Sequence, residues 1–152
     1  METMTKNSES SEQPSQSATL NETLDCLRGK DVMTRVHALN AIAQAPRYDA
    51  TIVLAVEHLL ADTSACLASI PYTFSEVRYV AGRALQSLRL VAGIKTPVTI
   101  INMVIPLAAA DLLGLMDDAG MKLSGGLEAQ MQAFETLAAS GKLPRRDYTF
   151  PQ

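Results

Sequence analysis

The chain has 152 residues, a length that suits one domain able to bury well over half of its unfolded surface. Apolar residues make up 47%, charged residues 19% and aromatics 5%, an ordinary globular balance that excludes a base-stacking nucleic-acid reader. With 13 Lys plus Arg against 16 Asp plus Glu, the formal charge of -3 also excludes a broad electrostatic footprint for DNA or RNA.

The segment from Met1 to about Ala18 is built from Ser, Glu, Gln and Thr and cannot bury enough surface to offset its ordering entropy, so residues 1–18 are expected to be disordered. It lacks the basic start and apolar stretch of a cleaved signal peptide. Together with Cys26 and Cys66, which form no CxxC pattern and read as two buried thiols, this favours a cytoplasmic protein. From Thr19 onward the punctuation reads as helices. Leu20, Leu24 and Leu27 recur at helical spacing before Gly29, which would close the helix in a left-handed conformation. Asp31 caps a second helix, Val32 to about Ala45, stopped by Pro46. Asp49 opens a third, whose stripe Ile52, Val53, Val56, Leu59 and Leu60 ends near Asp62. After a loop from Thr63 to Pro71, Thr73-Phe74-Ser75-Glu76 spells a capping box and predicts a long fourth helix to about Ala92, ended by Gly93. Thr96-Pro97 predicts another, Pro97 to Met116, and a last helix from Leu127 to Ser140 is closed by Gly141. Lys142 to Gln152, with two prolines and no periodicity, reads as an extended tail.

The second and fourth helices share a pattern. Arg35, Ala38, Ala41, Ile42 and Ala45 stand at the same offsets as Arg78, Ala81, Ala84, Leu85 and Leu88, with a period of 43. Alanines at these positions let helices approach closely. A unit of this length built from paired helices resembles the HEAT repeat family, whose bacterial form spells Val-Arg-x-x-Ala-x-x-Ala-Leu; Val77-Arg78-Tyr79-Val80-Ala81-Gly82-Arg83-Ala84-Leu85 matches it. The resemblance spans Thr23 to Ser140, although the first unit has Thr34 and Ile42 where the spelling has Val and Leu, and a third unit would lack the arginine. It implies an all-α, short right-handed α-solenoid of five to six helices over 19–141, bacterial in origin. It also implies that Arg35 and Arg78 pair with acidic groups or carbonyls at helix junctions.

In such a solenoid the arginine helices present a partner-binding ridge. With the inward stripe removed, that ridge consists of His37, Asn40 and Gln44 from one helix and Tyr79, Arg83 and Gln86 from the other, flanked by Met33 and Ser87. Tyr79 and Arg83 are the residue types best suited to anchor an interface. The expected function is a non-catalytic protein-protein interaction module, an adaptor, inhibitor or assembly factor. The alternatives are a small HEAT-like enzyme or lyase using the same groove, and a secreted effector whose polar N-terminus is an uncleaved export signal. The two histidines, His37 and His58, are poorly placed for general acid-base work or for a shared metal, so no catalytic residue, cofactor or metal is expected. Pro97 to Met116 approaches bilayer length, but Pro106 and Asp111 interrupt it, which makes a buried helix the expectation rather than a membrane span. In the tail, Arg145-Arg146 with Tyr148 and Phe150 could form a short docking motif.

Overall fold

A computed structural model describes residues 16–69 and 72–151; the expectation of disorder over 1–18 lies outside them for residues 1–15, while residues 16–18 are helical. Five of the six expected helices are present, four of them consecutively. Helix α1 spans Gln16–Leu27, α2 Val32–Gln44, α3 Ala50–His58 and α4 Val77–Val91. The caps are those the sequence spells. Asp31 accepts from the Thr34 amide at 3.0 Å and the Thr34 hydroxyl at 2.9 Å, and Asp49 accepts from Thr51 N at 2.8 Å and Ile52 N at 3.2 Å. Gly93 adopts the left-handed conformation expected of it, at φ 74. Gly29 does not; its carbonyl instead accepts from Arg35 Nη1 at 2.7 Å, which ties the α1–α2 turn to the second helix.

The remainder overturns the all-α solenoid. Among the described residues six helices are joined by five strands in two antiparallel sheets. Strand β1, Ala65–Ser69, lies in the stretch expected to be a loop, and β2, Thr73–Glu76, takes the place of the capping box. These strands pair with Leu67 opposite Phe74, and β2 also pairs with the two-residue strand β4, Leu107–Ala108. The capping-box spelling loses to burial. Phe74, Ser75 and Glu76 are all buried, the Phe74 ring stacks on Phe134 at 5.9 Å, and α4 begins only at Val77. The helix expected from Pro97 to Met116 is likewise divided, into β3 (Thr99–Val104), β4 and α5 (Ala109–Asp118). Its first half is dense in β-branched side chains, which fit a pleated surface, and Pro106 stops the strand. None of the described helices is long and apolar enough to cross a membrane.

Helix α6, Leu127–Ala139, ends at Gly141 with φ 72 and leads into β5, Arg145–Thr149. The tail is thus extended, as expected, but as a sheet strand: Thr99 faces Thr149 and Val104 faces Arg145 across an antiparallel ladder. A bulge between Ile100 and Met103 turns Ile101 outward and places Asn102 at φ 52, a left-handed position that Asn tolerates better than most residues. The outer edge of β5 carries Arg145, Arg146 and Asp147 between Pro144 and Pro151, a composition that blunts further strand addition.

Two apolar clusters result. One joins α1 to α4 with β3 and Phe150; the other gathers Phe74, Val104, Leu112, Met116, Phe134 and Leu137 beneath α5 and α6. Their boundary is closed by Glu76, whose buried carboxylate accepts from Arg78 Nε at 2.9 Å and from Val104 N at 3.0 Å. Arg78 reaches on to the carbonyls of Ile101 at 3.3 Å and Asn102 at 2.8 Å. Arg35 plays the matching part in the first half. Its Nε lies 3.1 Å from Asp62 Oδ2 and its Nη1 donates to the Gly29 and Lys30 carbonyls. Both arginines therefore pair with an acidic group and with carbonyls, but the carbonyls that Arg78 reaches belong to strand β3 and not to a junction between helices.

Candidate functional site

The six expected ridge residues do not form a free surface. Helices α2 and α4 pack together, and Arg83 Nη2 donates to Asn40 Oδ1 at 2.7 Å, across the same 43-residue separation that relates the two helices in sequence. The same nitrogen donates to the Ala68 carbonyl at 2.9 Å, and the guanidinium lies 5.5 Å from the Tyr79 ring centre. Tyr79 is covered by the last strand: its ring lies 5.7 Å from Tyr148 and 5.5 Å from Phe150. Gln86 is buried at 5% exposure, and its Oε1 accepts from Val98 N at 3.0 Å. Of the six, only His37 and Gln44 stand exposed, both on α2. The helical phase fails for Gln86, and for the expected exposure of Tyr79, because a solenoid has no β3 or β5 to lay across α4. Arg83, expected as an anchor, is spent on internal hydrogen bonds.

An open surface lies elsewhere, where α1, α2 and the start of α3 enclose a groove of about 570 Å³. Its floor is made by Ala38, Ala41 and Ala45 along one face of α2, with Ile42 and Ile52 beneath and Leu20 and Cys26 on the α1 wall. These alanines were expected to be packed under a neighbouring helix. In α4 their counterparts Ala81, Ala84 and Leu88 are fully buried, whereas Ala38 is half-buried and Ala41 and Ala45 are exposed. The difference between the two helices is the groove itself. Among the described residues no helix covers α2 on this side, so a face spelled for close approach is left open.

The rim is polar. Glu22 stands on α1, and Arg47, Tyr48 and Asp49 occupy the turn between α2 and α3. Asp49 is committed to its cap, and Tyr48 is half exposed at 49%. Arg47 and Glu22 have no hydrogen-bond or ion-pair partner among the described residues. Arg47 and Tyr48 escaped sequence reasoning because a turn between two helices carries no periodicity; the available signal was the arginine-tyrosine pair beside an alanine-rich helix end.

The groups with shifted acidity lie away from this groove. Hydrogen bonds from the Thr34 side chain and amide hold the Asp31 carboxyl below its usual range. Burial pushes the Cys66 thiol up to about 11 and also raises the Tyr148 phenol, beside Tyr79. Cys26 and Cys66 are separate thiols, only the former lining the groove. Among the described residues no cluster of three or more His, Cys, Asp or Glu side chains is placed to hold a metal. No protein-family model, curated protein or solved structure matches the chain.

Proposed function

We propose that this chain is a non-catalytic protein-interaction module, an adaptor, inhibitor or assembly factor of the reducing cytoplasm, whose recognition face is the groove between α1 and α2. The observation that carries this reading is the bare alanine face of α2. An apolar floor inside a polar rim that carries Arg47 and a half-exposed Tyr48 matches the apolar core and polar rim of protein interfaces. A small-molecule site encloses most of its ligand and orients it with buried polar groups; here the polar groups stand on the rim. The compartment is supported by the unpaired state of Cys26 and Cys66.

The test is a selection of displayed random peptides against the immobilised protein. Binders should be recovered that lose at least about tenfold in affinity, roughly 1.4 kcal/mol, when Ala41→Tyr fills the floor of the groove. Ala41 is exposed, so circular dichroism of that variant should be unchanged. Binders indifferent to Ala41→Tyr would place recognition on another face.

A further inference from the structure

We propose that the protein has a second, independent site, in which a small organic monocarboxylate is held by its carboxylate on Arg35 and by its apolar body on Leu54 and Leu59. The site is a cavity of about 570 Å³ where the α1–α2 turn meets the end of α3 and the short turn Leu59–Ala61 that follows it. Unlike the groove, it has charged groups on the inside. The Arg35 and Asp62 side chains are only 12% and 17% exposed, and buried polar groups between apolar walls are what orients a small ligand. Leu54, by contrast, is 68% exposed, and the ligand's apolar body covers it.

The chemical class follows from what Arg35 lacks. Its counterpart Arg78 has an acceptor on every nitrogen, Glu76 on Nε and the Ile101 and Asn102 carbonyls on Nη1 and Nη2. Arg35 directs only Nη1 to carbonyls, those of Gly29 and Lys30. Its Nε is buried without a hydrogen bond, although Asp62 Oδ2 stands 3.1 Å away, and its Nη2 has no acceptor among the described residues. Nε–H and the adjacent Nη2–H point the same way and form the side-on edge that a carboxylate meets with both oxygens. Strand β3 fills this edge of Arg78; beside Arg35 the cavity stands in its place. Charge selects a monoanion. Arg28 lines the cavity without an ion-pair partner among the described residues, so Arg28 and Arg35 against Asp62 leave the lining one positive charge in excess, in a chain of net charge -3. One carboxylate balances that excess, whereas a second negative charge on the ligand would face Asp62 uncompensated.

The experiment titrates the full chain with hexanoate, hexanol and sulfate and follows the backbone amides by NMR. Hexanoate should give saturable shifts centred on Gly29, Arg35 and Asp62. Hexanol, which lacks the charge, and sulfate, which lacks the apolar body, should each bind at least about tenfold more weakly. Arg35→Lys keeps a cation but loses the fork and should weaken hexanoate at least about tenfold. Should that variant lose its native circular dichroism, the exposed charge reversal Arg28→Glu provides the comparison, with an expected loss of at least about fivefold. Equal affinity for hexanol or sulfate, shifts that do not saturate, or hexanoate binding indifferent to Arg28→Glu would each overturn the inference. None of these outcomes bears on the groove, which shares no lining residue with this cavity.

Discussion

Helix α4 carries a glycine in its interior, and its role is exposed by asking what a methyl group would do there. A Cβ on Gly82 would lie 2.3 Å from Phe150 Cε2, 2.7 Å from Phe150 Cζ and 2.9 Å from Ile100 Cδ1. Carbon atoms pack best at about 3.5–4.0 Å, so the ring must retreat by more than about 1 Å. It is not free to do so. The Phe150 amide donates to Val98 O at 2.9 Å, and its ring is held between Tyr79 and Tyr148, 4.8 Å from the latter. Overpacking of this kind costs about 1–3 kcal/mol, against which alanine gains about 1 kcal/mol over glycine in a helix interior. Gly82→Ala should therefore fail to stabilise and cost roughly 0–2 kcal/mol, with an upper bound of about 3–5 kcal/mol if Phe150 is expelled. With Phe150→Ala as background only the contact with Ile100 Cδ1 remains, the far end of a flexible side chain, and the same substitution should become neutral to stabilising by up to about 1 kcal/mol. Urea unfolding of the four proteins in this double-mutant cycle measures the difference. A stabilising Gly82→Ala in both backgrounds would mean that the last strand does not dock on α4.

Other consequences follow from burial and titration. Glu76→Ala removes the acceptor of two buried donors, Arg78 Nε and Val104 N, and should cost on the order of 3 kcal/mol in chemical unfolding; a loss below about 1 kcal/mol would detach Glu76 from the boundary between the two cores. Ala84→Leu should cost about 1–3 kcal/mol whereas Ala41→Leu, at the same place in the repeat, should stay within about 0.5 kcal/mol; equal losses would mean that the groove is filled. The Cys66 thiol, raised from an ordinary 9.0 to about 11, is deprotonated in the unfolded chain before the folded one, so its contribution is complete below pH 9. That contribution, at most about 2–3 kcal/mol, is lost as pH rises towards 11; Cys66→Ala should flatten this part of the stability profile, and an identical profile in the variant would refute it.

What was legible in the sequence is what short-range chemistry determines. Asp31, Asp49, Gly93 and Gly141 mark helix ends through contacts within one turn, whereas the Arg35 and Arg78 clamps reach Asp62, Ile101 and Asn102 far along the chain. Strands β3 and β5 depend on each other far along the chain: the Thr99 and Thr149 hydroxyls meet at 2.9 Å across 50 residues, and nothing near Thr99 announces Thr149. Thr73-Phe74-Ser75-Glu76 shows the conflict within a single tetrapeptide. Its capping potential is real, yet the Phe74 side chain gains more between β1 and Phe134 than a helix start could return. The groove was hidden for a related reason. Alanines at close-packing intervals read identically in α2 and α4, and only the arrangement of the other elements decides which face is covered.

The most direct test of the groove as the recognition face uses the thiol inside it. Cys66 is buried with its acidity suppressed, so a maleimide applied to the folded protein reports on Cys26 alone. A peptide obtained by selection, at about ten times its Kd, should slow Cys26 alkylation roughly tenfold by simple occupancy. The protection should vanish in Ala41→Tyr. Full-affinity binding with an unchanged rate of Cys26 alkylation would contradict the account.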